Sequence, residues 1–357
     1  MNTSVKRIPI IDLVKYICAV LVVFYHTANV VGFSGIAGTV CHTVWSIARY
    51  FSPVEFFFLV SAFFLFKKCP RPKKLPNGRP LWRYVGRLIK LYLLWAVLYL
   101  PIIAKSWAGK SFSRCAVSLL KQLLLTGYST HTWYIPSLLY GTIAVFLLLR
   151  YTNRAVTGTV VGVLTAICLL GSNYAGLYPH CPPVEWLYRL TGSPALLRSF
   201  IYVFIGACMA CTFQEHPERF CGRRVIARNT VLWLIFGTLS LVELKCTVAW
   251  GLARNNDASL MSIFTVWALL RLLLCLRETL IRRADALNTF GIVSSFVYFS
   301  HMLIREGFLL LATVKPLAFL SNGFVLWGAV TVCATAIGLL LHRISGTKYG
   351  KICGLLM

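Results

Sequence analysis

An all-α, polytopic membrane protein, with about ten transmembrane helices and both termini in the cytoplasm, is the fold class this sequence predicts. Three observations lead there. Of 357 residues, 58% are hydrophobic and only 13% are charged, with a mean hydropathy of +0.73; soluble domains run near about 45–50% apolar and about 25% charged. The apolar residues gather into runs of roughly 20, the length that crosses a bilayer as a helix. The basic residues gather in alternate loops between those runs, as the positive-inside rule requires.

The first span covers about 10–31. Asp12 and Lys15 interrupt its apolar stretch, so it reads as an uncleaved span and not as a cleavable signal peptide. A short Gly/Ser-rich loop leads to span two, about 44–66, which ends in Lys67-Lys68. From Lys67 to Lys90 the chain is at its most basic and is punctuated by Pro70, Pro72, Pro76, Asn77-Gly78 and Pro80. Span three covers about 88–104, and the Lys/Arg-punctuated apolar pattern at 112–126 suits a helix lying along the membrane interface. Spans four and five cover about 134–149 and 156–173, and a loop with His180, Cys181, Pro182 and Pro183 follows. The remaining spans cover about 196–212, 230–250, 258–276, 290–312 and 322–341. With no long soluble segment and no internal repeat, residues 1–357 are expected to form one membrane domain.

Lys and Arg number 36 against 10 Asp and Glu, a formal net charge of +26. In a soluble protein that excess would suggest nucleic acid. Here, with the N-terminus inside, 23 of the basic residues fall in cytoplasmic segments and nine in outer ones, so the bilayer and not nucleic acid is the expected partner. Lys15, Arg49, Lys245 and Arg271 stay within spans. The densest cluster leaves a polyanionic ligand, such as a nucleotide-bearing cofactor, open. The 13 cysteines show no metal-type spacing, and no metal is expected. Cys18, Cys168, Cys208, Cys275 and Cys333 sit in apolar runs as small apolar side chains. Cys41 and Cys181 fall in expected outer loops, which leaves a disulfide between them open.

Ionisable residues inside spans need a reason, since one near the bilayer centre costs roughly 2.5–3.5 kcal/mol on insertion scales. In span one, at about 100° per residue, the eleven steps from Lys15 to His26 return to within about 20° of the same face, and Asp12 lies about 40° from His26. One polar stripe on an apolar helix is expected to line a cavity or a helix interface. At 1.5 Å per residue, Lys15 lies about 7 Å from the inner end of its span, shallow enough to snorkel, and His26 about 24 Å. Glu55 in span two and His301 in span nine each lie about 16 Å in. Two histidines and a glutamate at comparable depth suggest a polar site within the membrane. Glu243 with Lys245, and Arg271, either belong to it or satisfy one another.

These residues also carry a resemblance. Asp12, then Lys15, ten residues and His26, is similar to the first helix of the membrane-bound acyltransferase-3 family, the integral membrane O-acyltransferases of bacterial surface glycans. Glu55-Phe56-Phe57-Phe58-Leu59-Val60-Ser61-Ala62-Phe63 resembles the family's second-helix pattern, with Glu55 for the usual Asp and Ala62 for the usual Gly. Arg83-Tyr84-Val85-Gly86-Arg87-Leu88-Ile89-Lys90 resembles its Arg-rich entry to the third helix, with Lys90 where Arg is common. His131-Thr132-Trp133-Tyr134-Ile135-Pro136 resembles the aromatic opening of the fourth helix, and Ser294, Tyr298 and His301 reproduce a late Ser-x-x-x-Tyr-x-x-His. Each match is short; their joint order from the first helix to the ninth is specific.

The resemblance implies transfer of an acyl group, most often acetyl, from cytoplasmic acyl-CoA to a hydroxyl of a surface or lipid-linked glycan, at a bacterial cytoplasmic membrane and with no permanently bound cofactor. An imidazole titrating near about 6.5 suits removal of a hydroxyl proton during attack, so His26 is the expected general base. Glu55 is expected to orient a histidine or a substrate hydroxyl. Lys15, Arg83, Arg87 and Lys90 are the expected contacts of the acyl-CoA donor, and Asp12, Trp133, Ser294, Tyr298 and His301 the expected acceptor-side residues. A transporter of a small polar solute such as an amino acid is the alternative, because intramembrane His, Glu and Lys also mark proton relays and related domains accompany racemases linked to amino-acid uptake. The lack of inverted repeats and of paired broken helices weighs against it.

Overall fold

The computed structural model describes residues 8–28, 35–69, 78–105, 107–255, 257–346, 354 and 356, the side chain of residue 37 aside. The 70–77 part of the expected basic loop, and Lys6, Arg7, Lys348 and Lys351, lie outside the described residues. The described chain is a succession of helices with no strand. These are α1 (Pro9–Thr27), α2 (Gly35–Phe51), α3 (Pro53–Lys68), α4 (Arg79–Lys105), α5 (Phe112–Lys121), α6 (Tyr134–Tyr151) and α7 (Arg154–Leu170). They are followed by α8 (Pro182–Thr191), α9 (Ser199–Glu215), α10 (Arg223–Ala249), α11 (Leu260–Cys275), α12 (Ala284–Leu311) and α13 (Gly323–Ser345).

Among the described residues, eight helical stretches are long and apolar enough to cross a membrane: α1, 38–68, α4, α6, Pro194–Glu215, α10, Ile281–Leu311 and α13. The expected fifth and eighth spans correspond to α7 and α11, of 17 and 16 residues. At 1.5 Å per residue these are about 24–26 Å long, short of a hydrocarbon core of about 30 Å. Outward-facing Leu93, Val97 and Leu98 on α4, and Val231, Leu234, Ile235 and Leu239 on α10, give those helices the apolar outer face that lipid requires.

Two local features depart from the sequence reading and one follows it. Span two is not one straight helix. Ser52 adopts a left-handed backbone (φ 40°) between α2 and α3, and its Oγ donates to the carbonyl of Arg49 at 2.9 Å. Pro53 causes the break, since it lacks an N–H and disfavours helical geometry at the residue before it. Cys41 lies on α2 and not in a loop, Cys181 precedes the first residue of the short helix α8, and both are free thiols. The 112–126 segment is indeed helical, with no buried side chain in α5, and continues into a wider π turn over Gln122–Thr126.

The helices fall into two units, one of residues 6–54 and 273–357, the other chiefly of residues 55–272. In the first, α12 packs along both α1 and α13. Lys15 meets Gly291 and His26 meets His301, so α1 and α12 run parallel and in register. Tyr16 meets Thr335 (2.8 Å between hydroxyls), and the Trp327 indole donates to the Val20 carbonyl at 3.1 Å, so α13 runs antiparallel to α1. In the second unit, Gly206 of α9 faces α3. A Cβ there would stand 2.6 Å from the Leu59 carbonyl oxygen and 2.8 Å from the Ala62 Cβ. The close packing that a glycine at position 62 would permit is thus supplied by the glycine opposite.

Candidate active site

The unit built from α1, α2, α12 and α13 holds two polar levels along one seam. At the first, Lys15 Nζ lies 3.3 Å from Asp12 Oδ1 and donates to the carbonyl oxygen of Gly291 at 3.1 Å. Ser294 Oγ donates to the same carbonyl at 2.7 Å. Three charged or polar side chains therefore satisfy one another and a helix carbonyl, which offsets the cost of placing them in apolar helices. The arrangement needs glycine at 291, because a Cβ there would overlap the Asp12 carboxylate.

The second level lies eleven residues on along α1 and ten along α12, about 15–17 Å at the rise of a helix. There the rings of His26 and His301 sit 5.2 Å apart, centre to centre, tilted by 33°. His301 is fully buried, while His26 is partly open. His301 Nδ1 lies 2.6 Å from the carbonyl oxygen of Tyr298. A carbonyl only accepts, so Nδ1 carries the proton and in the neutral ring Nε2 holds the lone pair. The Tyr298 ring is 6.2 Å from that of His301. Arg305, one turn further along α12 and paired with Glu306 at 2.5 Å, lies within electrostatic range of both histidines. The imidazole pair can accept, hold and pass on one proton.

The residue 55–272 unit holds a polar centre of its own. Glu55, in the first turn of α3 and 5% exposed, forms an ion pair with Arg198, the residue before α9. The guanidinium stands over the ring of Trp133 at 5.4 Å. Phe58 packs against Trp133 (6.1 Å) and stacks on Tyr134 (4.5 Å), which fixes the wall beside the pair. Within this unit the partner of Glu55 is Arg198, one of the nine basic residues that the sequence assigns to outer segments. An arginine just before an apolar run looks like any flanking cation, so nothing local marked it.

Arg83, Arg87 and Lys90 are four and three residues apart on α4, a spacing that puts them on one stripe, and all three are exposed. None forms an ion pair among the described residues. Glu243 and Arg271, expected either to join the site or to satisfy one another, each have contacts of their own. Glu243 accepts from Tyr174 Oη (2.8 Å), Ser259 Oγ (2.6 Å) and the backbone N–H groups of Leu260 and Met261 (2.7 Å each), capping the start of α11. Arg271 stacks on Phe220 and Trp267 at 5.1 and 5.2 Å.

A family profile described as an acyltransferase domain matches residues 8–343. Among curated proteins, an amino-acid racemase of Enterococcus faecalis is 23% identical over 292 residues, 79% of this chain and 37% of that protein. A second amino-acid racemase of the same organism is 29% identical over 182 residues, 50% of this chain and 25% of that protein. A serine/alanine racemase of Enterococcus gallinarum is 26% identical over 129 residues, 36% of this chain and 18% of that protein. The chain spans 37% or less of the length of these relatives. No solved structure matches it.

Proposed function

The chain belongs to the membrane acyltransferase-3 family, and from that premise we propose that it moves an acyl group, acetyl in the first instance, from cytoplasmic acyl-CoA to a hydroxyl of a surface or lipid-linked glycan at a bacterial cytoplasmic membrane. The observation that carries this reading is the His26–His301 pair, two imidazoles in ring contact inside apolar helices. A hydroxyl is a poor nucleophile near neutral pH, and a positioned imidazole answers that need. In the proposed step, the acceptor hydroxyl gives its proton to the His26 ring as its oxygen bonds to the thioester carbonyl carbon. The carbon–sulfur bond then breaks, and the departing CoA thiolate takes the proton back from His26. His301 stands behind His26 with its tautomer set by the Tyr298 carbonyl.

The donor side of the reading uses charge. CoA carries phosphates, and charge-assisted contacts to phosphate are about twice as strong as neutral ones. Arg83, Arg87 and Lys90 supply an exposed cationic stripe on α4 for that polyanion. Lys15 is assigned to the donor as well, its ammonium held in place by Asp12 and Gly291. Asp12, Ser294 and Tyr298 support the α1–α12 seam on the acceptor side, and Glu55 with Trp133 offers a polar and aromatic surface to a sugar.

Labelled acetyl-CoA given to the purified, membrane-reconstituted protein with an envelope polysaccharide tests the reading. CoA release with label on the polysaccharide, abolished in His26→Ala protein that still inserts, is the expected result. Retained transfer in that variant would remove His26 from the role of base.

The second reading is a carrier of an amino acid; the relatives named as racemases bear on it only in that their names concern amino acids. Labelled serine or alanine entering vesicles without any CoA turnover would select it over acyl transfer.

A further inference from the structure

Arg198 has no part in the scheme above, yet its side chain is only 11% exposed. Three elements converge on it: Glu55 from the start of α3, Trp133 from the turn before α6, and the 3-10 turn Pro194–Leu197 that ends at Arg198 itself. One terminal nitrogen is taken by Glu55. Its Nε–H is buried and has no hydrogen-bond partner among the described residues. Arg198 also lines a narrow cavity with Cys168, Tyr202 and Ser259.

Stability does not account for this arrangement. A buried ion pair contributes about as much as apolar side chains of the same volume, or less, and a buried donor left without an acceptor is a net cost. A guanidinium fixed by a carboxylate, with one N–H unused and a half-buried indole face beside it, is the kind of preorganised donor set that recognises a polar ligand. The indole face suits the apolar face of a sugar ring, the guanidinium N–H a ring hydroxyl as acceptor, and the Glu55 carboxylate a hydroxyl as donor.

We propose that Arg198 is a specificity-determining residue for the acceptor: it holds the Glu55 carboxylate in place and donates its Nε–H to a hydroxyl of a sugar ring laid against Trp133. This assignment rests on the acyl-transfer reading. It differs from a structural role because it ties Arg198 to one substrate and not to the other.

The test uses full-length protein in reconstituted membranes, labelled acetyl-CoA, and polysaccharide extracted from the envelope of a strain lacking the gene. Arg198→Met should raise the KM for polysaccharide by about tenfold or more, the scale of one lost charge-assisted hydrogen bond, with the KM for acetyl-CoA unchanged. Arg198→Lys should recover part of that loss. If Arg198→Met does not fold, Glu55→Gln combined with Arg198→Met removes both charges, and the same rise in polysaccharide KM is expected from it. A polysaccharide KM within twofold of wild type in the methionine variants would overturn the proposal. So would an equal fall in kcat for Arg198→Met and Arg198→Lys with both KM values unchanged. Failure of the wild type to release CoA at all would instead overturn the acyl-transfer reading, and this assignment with it.

Discussion

Lys15 Nζ reaches across from α1 to the Gly291 carbonyl oxygen of α12 at 3.1 Å, and that bond joins two helices 276 residues apart in sequence. It sets the register in which, ten residues further along α12, His301 comes to face His26. The polar residues of the first helix are therefore coupled: Asp12 and Lys15 seat the helix that carries the histidine.

Gly291→Ala should disturb that seat most cheaply. The added methyl would overlap the Asp12 carboxylate, and overpacking of this kind costs typically about 1–3 kcal/mol. Lower thermal stability in detergent is expected. Gly291→Ala combined with Asp12→Ala should regain part of it, and a double variant no better than the single would deny the contact.

His301→Ala should lower acyl transfer less than His26→Ala does. Removing a general base costs about 10²- to 10⁴-fold, whereas His301 acts through its neighbour. Initial rates of CoA release for the two variants, compared at equal membrane content, check the order.

Charge on α4 should be read out in donor kinetics. Arg83→Gln with Arg87→Gln is expected to raise the KM for acetyl-CoA several-fold while leaving kcat near wild type, and the effect should shrink at high salt because exposed charges are screened. A salt-independent loss of kcat would point to a structural role.

Glu243 should behave as a structural residue. Glu243→Leu removes the acceptor of four hydrogen bonds and leaves two backbone N–H groups at the start of α11 unsatisfied, each worth about 1–3 kcal/mol when buried. Reduced yield and thermal stability are expected, with both KM values unchanged in whatever protein folds.

Gly206→Ala offers a control in the other unit. With the Leu59 carbonyl oxygen at 2.6 Å and the Ala62 Cβ at 2.8 Å from the new methyl, α9 must move away from α3. Restoring glycine at position 62 in the same protein should relieve part of the loss in thermal stability.

Much of this architecture is legible in the sequence because helices are local. The 100° step alone groups Asp12, Lys15 and His26 on one side of α1, and the structure finds Asp12 and Lys15 within 3.3 Å of each other. What lies beyond one helix is not legible in that way. Arg198 meets Glu55 across 143 residues, and Glu243 meets Tyr174 across 69. No spacing rule links such positions. Span two departs from its sequence reading for a different reason: apolar residues resume directly after Ser52-Pro53, whereas the helix breaks there. The paired glycine at 206 was equally hidden, since the value of Ala62 depends on what stands opposite.

The parallel course of α1 and α12, with α13 returning beside them, also constrains parity. Two helices that cross a bilayer in the same sense have an odd number of crossings between them. Five stretches between α1 and α12 are long enough to cross, and α7 and α11 are the two shorter ones. With those five crossing, counting only one of the shorter pair would make six and reverse the sense of α12, so the parallel course of α1 and α12 goes with both or with neither. Whichever holds, the start of α1 and the end of α13 lie at the same end of this group of three helices.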